Sequence, residues 1–231
     1  MGDYNTQAAR SGGSVDSAST EGEEVYLLAG PLGSGKSTVA DMIERHYNGS
    51  TAAFEMSDYV RNCYYADVGG ESVDDNTLGE WAAEKKDGNL GYFGDRLADH
   101  LDTDEDTPDA IIVSGIRSPE ETYMFKQKWG LNAHTWAVWT LPDIRFKRKY
   151  GELAHEEHPK WPDFLERNER ELDEWNCTDF YVEQSVNKAD EIIPNNGNLD
   201  KLRRVVRGTL SGDSPAYPFP HNDKESIRGY L

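Results

Sequence analysis

The segment Gly30-Pro31-Leu32-Gly33-Ser34-Gly35-Lys36-Ser37 is where residue type and spacing speak most directly of chemistry. It satisfies G-x-x-x-x-G-K-[ST] in full. Gly30, Gly33 and Gly35 let the backbone wrap closely around an anion and turn its N–H groups inward. A helix starting here presents its positive end to the same anion. Lys36 can reach the terminal phosphates of a nucleoside triphosphate, and the Ser37 hydroxyl can ligate magnesium. Ser34 and Thr38 complete the expected nucleotide-binding set. A Gly/Ser-rich turn can match such a pattern by chance. Here an apolar run, Val25-Tyr26-Leu27-Leu28-Ala29, precedes the motif, and a helical pattern with Val39, Met42 and Ile43 on one face follows it. That context predicts ATP and Mg2+ as cofactors and leaves the phosphate acceptor open.

The elements that must position this loop follow from periodicity. A strand is expected around Ala53 to Met56, followed by a helix with Ser57 or Asp58 as N-cap. Leu78, Trp81 and Ala82 mark a second helix, and Phe93, Leu97 and Leu101 a third. Ala110-Ile111-Ile112-Val113 is the clearest interior strand, after an acidic turn from Asp102 to Asp109. Ser118-Pro119-Glu120-Glu121 combines a Ser N-cap, Pro at the first helical position and Glu at the third, opening a helix to about Trp129. A strand from Ala133 to Thr140 comes next. Helices follow around Ile144 to Tyr150 and Phe164 to Trp175, then a strand from Asp190 to Ile193 and a helix ending near Gly208. Strands alternating with helices imply a parallel sheet covered on both faces. The fold expected is α/β, a P-loop NTPase with about five parallel strands. Residues 1–22 read as a disordered leader, 23–210 as the folded domain and 211–231 as a tail with little pattern.

With these segments in view, the chain resembles nucleoside monophosphate kinases, especially an archaeal group of adenylate-kinase-like P-loop proteins of undefined substrate. The resemblance covers most of residues 25 to 208. It rests on the P-loop, on Met56-Ser57-Asp58-Tyr59-Val60-Arg61, on Leu78-Gly79-Glu80-Trp81-Ala82 with Arg96 downstream, and on Ser114-Gly115-Ile116-Arg117-Ser118. It continues through Arg145 and Arg148, Glu166 to Glu171, and Ala189 to Ile193 with Asn196-Gly197. The resemblance implies acceptor-binding helices over 57–103 and a lid over 142–175. It assigns Asp58, Arg61, Arg96 and Arg117 to the acceptor phosphate, whose geometry a guanidinium fork matches. Lys36, Arg117, Arg145 and Arg167 would be catalytic, by placing positive charge around the transferring group. Arg148 would bind the nucleotide from the lid, and Asn196 and Gly197 would lie beside the nucleotide base. Related kinases usually carry Asp where this chain has Ser114. The expected metal set is therefore Ser37 and Ser114, with Asp58 supplying the carboxylate.

Composition bounds the alternatives. Asp and Glu outnumber Lys and Arg by 43 to 24, for a net charge of -19. Such a field repels nucleic-acid backbones and anionic lipid, so the expected partner is a small phosphate acceptor, with no nucleic acid and no membrane. The dispersed carboxylates suit a high-salt cytoplasm, the expected location. Cys63 and Cys177 stand in no metal-ligand spacing and read as ordinary thiols. His155-Glu156-Glu157-His158 spaces its histidines three apart, against four in the zinc motif, and reads as a loop. Trp129, Trp136 and Trp139 are expected in the core, while Trp81 and Tyr92 flank the acceptor helices, where either could stack on a base.

Overall fold

The computed structural model describes residues 23–102, 108–151, 158–172 and 182–213, apart from the side chains at positions 170 and 172. The expected leader, most of the tail, the centre of the acidic turn, Cys177 and His155 to Glu157 lie outside the described residues. So does the end of the expected lid.

Five strands form one parallel sheet: β1 (Glu24–Ala29), β2 (Thr51–Glu55), β3 (Ala110–Ile116), β4 (Ala133–Trp139) and β5 (Glu191–Pro194). Their order is β2-β3-β1-β4-β5, the arrangement of a P-loop α/β protein. Residues of β1 alternate between two core layers. Val25, Leu27 and Ala29 pack with Phe93, Leu97, Val113 and Phe125 on one face. Tyr26 and Leu28 pack with Val39, Ile43, Leu202 and Val206 on the other. Each fully buried Leu, Ile or Val contributes roughly 1.5–3 kcal/mol of transfer free energy.

The helices are α1 (Lys36–His46), α2 (Met56–Val68), α3 (Asp75–Lys86), α4 (Tyr92–Asp102), α5 (Pro119–Trp129), α6 (Pro142–Tyr150), α7 (Trp161–Leu172), α8 (Val182–Asn187) and α9 (Leu199–Leu210). The Ser118 capping box forms as its sequence predicts, with Glu121 bonded back to the backbone of Arg117 and Ser118. The start of α2 differs from expectation. Its N-cap is Glu55, without a side-chain cap bond, rather than Ser57 or Asp58. The buried Met56 continues the apolar surface of β2 directly into the helix, so the first turn forms earlier. Helix α8 carries no clear sequence pattern, yet its Val182 and Val186 cover Ala137 and Trp139 of β4.

One irregularity bears on the site. β1 pairs with β3 in steady register to Leu28 and Ser114, and then Ala29 pairs with Ile116, leaving Gly115 as an extra residue. Gly115 has φ 91. Bulges of this kind bend a strand and re-aim its side chains.

Candidate nucleotide and phosphoryl-transfer site

The turn from β1 into α1 lies at the carboxyl ends of the strands, where open α/β sheets bind ligands. Its glycines are demanded by close approach. A Cβ on Gly30 would stand 2.3 Å from the carbonyl oxygen of Val138, and one on Gly35, whose φ is 98, would stand 2.3 Å from Asn195 Nδ2. The loop's carbonyl groups are held by the protein. The Ser34 carbonyl accepts from Thr140 Oγ1 at 2.8 Å and from Asn195 Nδ2 at 2.8 Å. The Leu32 carbonyl accepts from Arg145 Nη1 at 3.0 Å, while the Leu32 N–H donates to Glu171 at 2.9 Å.

Gly33, Gly35, Lys36, Ser37 and Thr38 line a cavity of about 1020 Å³. Helix α1 begins there without a side-chain cap and without an acidic residue in its first turn. Its first N–H groups and positive end are thus left for an anion. Ser34 Oγ is buried in the cradle with no hydrogen-bond partner. These features fit a bound phosphate chain. The Ser37 hydroxyl, on the same wall, fits a magnesium ion completed by phosphate and water oxygens. Among the described residues no group of three or more His, Cys, Asp or Glu side chains is placed to hold a metal alone.

Lys36 is the electrostatic centre. Its ammonium donates to the carbonyls of Gly30 at 2.8 Å and Pro31 at 3.2 Å. Burial holds its pKa below the ordinary lysine value; Glu55 and Glu171 oppose that shift, while Arg117 and Arg145 add to it. A phosphate anion would add negative charge around this half-buried cation.

The remaining candidates divide by location. Arg117 follows the end of β3, exposed, near enough for its charge to act on Lys36. Arg148 donates to the carbonyls of Asn195 at 2.8 Å and Gly197 at 3.3 Å. It lines the main cavity with Gly197, Asn198, Leu199 and Arg203. The Asn196 side chain points the other way, accepting from the Leu141 N–H at 2.9 Å. Arg61 bonds to the Val73 carbonyl at 3.2 Å and pairs with Asp75 at 3.4 Å. Arg96 stands 5.6 Å from the centre of the Tyr92 ring. Asp58 is exposed on α2 and outside the cavity wall.

Arg145 is 2% exposed. Besides Leu32 it donates to the Thr140 carbonyl at 3.1 Å and to Asn168 Oδ1. Burial lowers its pKa to about 10, against the pull of Glu171. It ties α6, α7 and the phosphate loop together. Arg167 is 54% exposed and lies 3.8 Å from Glu171. It lines a smaller cavity of about 250 Å³ beside Leu32 with Tyr150 and Phe164. Trp81 packs edge-on against Tyr64 and donates to Asp67 at 3.1 Å. Trp136 and Trp139 are buried in the core and Trp129 is packed against it.

Sequence reasoning missed Glu55, Asn195 and Glu171. Glu55 ends β2, lines the cavity with Lys36 and Ser37, and is the foremost charge acting on Lys36. A polar residue closing an apolar strand was the only available signal for it. Asn195 and Glu171 gain their roles through contacts across more than a hundred residues, which spacing does not reveal. Ser114 is 4% exposed, its hydroxyl is buried without a partner, and it does not reach the cavity wall.

No protein-family model matches the chain. It is 26% identical over 184 residues to a UPF0200 protein of Saccharolobus solfataricus, covering 78% of this chain and 89% of that one. It is also 26% identical over 175 residues to a UPF0200 protein of Methanococcus maripaludis, covering 74% and 87%. These relatives come from the archaea, as the resemblance implied. Among solved structures, TT1252 from Thermus thermophilus aligns with a TM-score of 0.49 at 16% identity, over 83% of this chain and 98% of that one. Shikimate kinase from Acinetobacter baumannii, in complex with shikimate, aligns with a TM-score of 0.48 at 13% identity, over 85% and 97%.

Proposed function

We propose that the protein transfers the terminal phosphoryl group of ATP, with magnesium, to a small acceptor bearing a phosphate, such as a nucleoside monophosphate. The observation that carries this reading is the phosphate cradle, in which a half-buried lysine and an uncapped helix start line one large cavity. Lys36 would leave the carbonyls of Gly30 and Pro31 for the phosphate oxygens. Ser37 would hold magnesium, which would supply charge neutralisation for the phosphates. Arg117 would orient the acceptor phosphate at the end of β3. Arg148, beside Asn195 and Gly197, would lie against the base. Arg167 would reach the transferring group from α7, with α6 and α7 limiting access of water.

A second reading has its own support. Arg61 is bonded to Val73 and Asp75 and Arg96 lies against Tyr92, while Arg117 is the foremost arginine charge acting on Lys36. A hydroxyl acceptor, as in dephospho-coenzyme A, needs less positive charge at that position. Both readings are tested by ADP formation with ATP and magnesium against nucleoside and deoxynucleoside monophosphates and dephospho-coenzyme A, with Lys36→Ala as control. Turnover that depends on one acceptor and vanishes in the control identifies the substrate. ATP binding without acceptor-dependent turnover would refute phosphoryl transfer to this set.

A further inference from the structure

We propose that Glu55 is the carboxylate that positions magnesium and its water shell in this site, acting from β2 where related folds act from position 114 of β3. The inference rests on the triphosphate reading of the cradle. Glu55 and Ser114 are register partners on adjacent strands, so the two positions occupy the same level of the sheet. Ser114 cannot serve the cavity: its hydroxyl is buried, unpartnered and behind the wall. The bulge at Gly115 follows Ser114 directly.

The same bulge makes room for Glu55. A Cβ on Gly115 would stand only 2.5 Å from Glu55 Oε1, so the carboxylate lies over bare backbone at the strand's end. From there Glu55 shares the cavity wall with Ser37, the residue placed to ligate the metal directly. Its charge is also the foremost one supporting protonated Lys36. A carboxylate beside a phosphate site is unfavourable unless a cation stands between them. Lys36 offers one such cation and a hydrated magnesium ion the other. Magnesium keeps several waters and uses one or two carboxylates together with phosphate oxygens; of the two acidic residues on the wall, Asp200 is paired with Arg203 at 2.7 Å, which leaves Glu55 for that part. Glu55 is a positioning residue in this scheme, working through metal-bound water.

The test is the coupling between metal and nucleotide, read from binding. The affinity of a fluorescent ATP analogue is measured in EDTA and in saturating Mg2+ for the wild type, Glu55→Gln and Asp200→Asn. The ratio of the two affinities is the coupling. In Glu55→Gln it should fall by about 10- to 100-fold, the usual cost of losing an outer-shell metal partner. Affinity in EDTA should stay level or rise, because a negative charge has left the phosphate site. Asp200 shares the cavity wall but is paired with Arg203 at 2.7 Å, so Asp200→Asn should keep the wild-type ratio. An unchanged ratio in Glu55→Gln overturns the proposal. So do equal losses with and without metal, or an equal fall in Asp200→Asn. A wild type that binds no analogue in either condition refutes instead the triphosphate reading beneath it.

Discussion

The side-chain amide of Asn195 donates to the carbonyl of Ser34 across 2.8 Å, fastening the turn after β5 to the phosphate loop. The same amide nitrogen is what a Cβ on Gly35 would strike. One side chain thus supports the loop and dictates a glycine within it. Asn195→Ala leaves the Ser34 carbonyl with Thr140 as its remaining partner and removes buried contact. The expected loss is about 1–2 kcal/mol of stability. A thermal melt should show a midpoint lower by roughly 2–8 °C, and ATP affinity should fall with it.

Gly35→Ala tests the cradle more sharply. It places a Cβ at a left-handed φ and 2.3 Å from Asn195 Nδ2. The sheet core is untouched, so the far-ultraviolet circular dichroism should match the wild type. ATP affinity should drop by at least about tenfold, equivalent to ~1.4 kcal/mol. Wild-type affinity in this variant would mean that the loop does not bind phosphate through its backbone.

Much of this was legible in the sequence, and the reason is local. The P-loop, its flanking strand and helix, and the Ser118 capping box are each specified within about ten residues. Periodicity gave β1, β3 and β4 because they are apolar runs buried on both faces, whereas the edge strands β2 and β5 are only partly buried. The functional partners followed another rule. Glu55 matters through its register with Ser114 and the bulge at Gly115, and strand register is invisible to one-strand patterns. Arg145 carries the type and spacing of an arginine that reaches phosphate, whereas its bonds in this structure go to Leu32, Thr140 and Asn168. Burial separates those two uses, and burial depends on the packing of α7.

Arg145 and Arg167 should therefore behave differently. Arg145→Met strands the Thr140 carbonyl and Asn168 Oδ1 inside the protein, and should cost about 2–4 kcal/mol in a denaturant titration. Arg167→Ala removes an exposed group and should change stability by no more than about 0.5 kcal/mol. If Arg167 reaches the transferring phosphoryl group, kcat falls in that variant while the denaturation midpoint stays. An unchanged kcat would remove it from the machinery.

The lowered pKa of Lys36 predicts opposite pH trends for binding and stability. The native group loses its proton at a lower pH than the unfolded one, whose value is near 10.5. Between the two, the unfolded state binds more protons, so the contribution of Lys36 to native stability rises with pH. ATP affinity should decline over that window, because the cation facing the phosphates is being lost. In Lys36→Arg the side chain stays charged throughout, and this alkaline decline should disappear. The measurement is ATP affinity from pH 7 upward; a decline shared equally by both proteins would assign it to another group.

The ties that shape the phosphate loop have one more consequence, for the order of folding. Ser34 is bonded by residues 106 and 161 positions later, and Leu32 by residues 113 and 139 positions later. Contacts of such separation carry a large loop-closure cost and form slowly. During synthesis the G-x-x-x-x-G-K-S segment emerges early, yet its cradle cannot close until Asn195 has left the ribosome. Nascent chains shorter than that should not be retained by immobilised ATP. Once closed, the cradle makes nucleotide a ligand of the finished sheet alone. At a hundred times its dissociation constant, ATP would add about 2.7 kcal/mol against unfolding, shared by strands that never touch it.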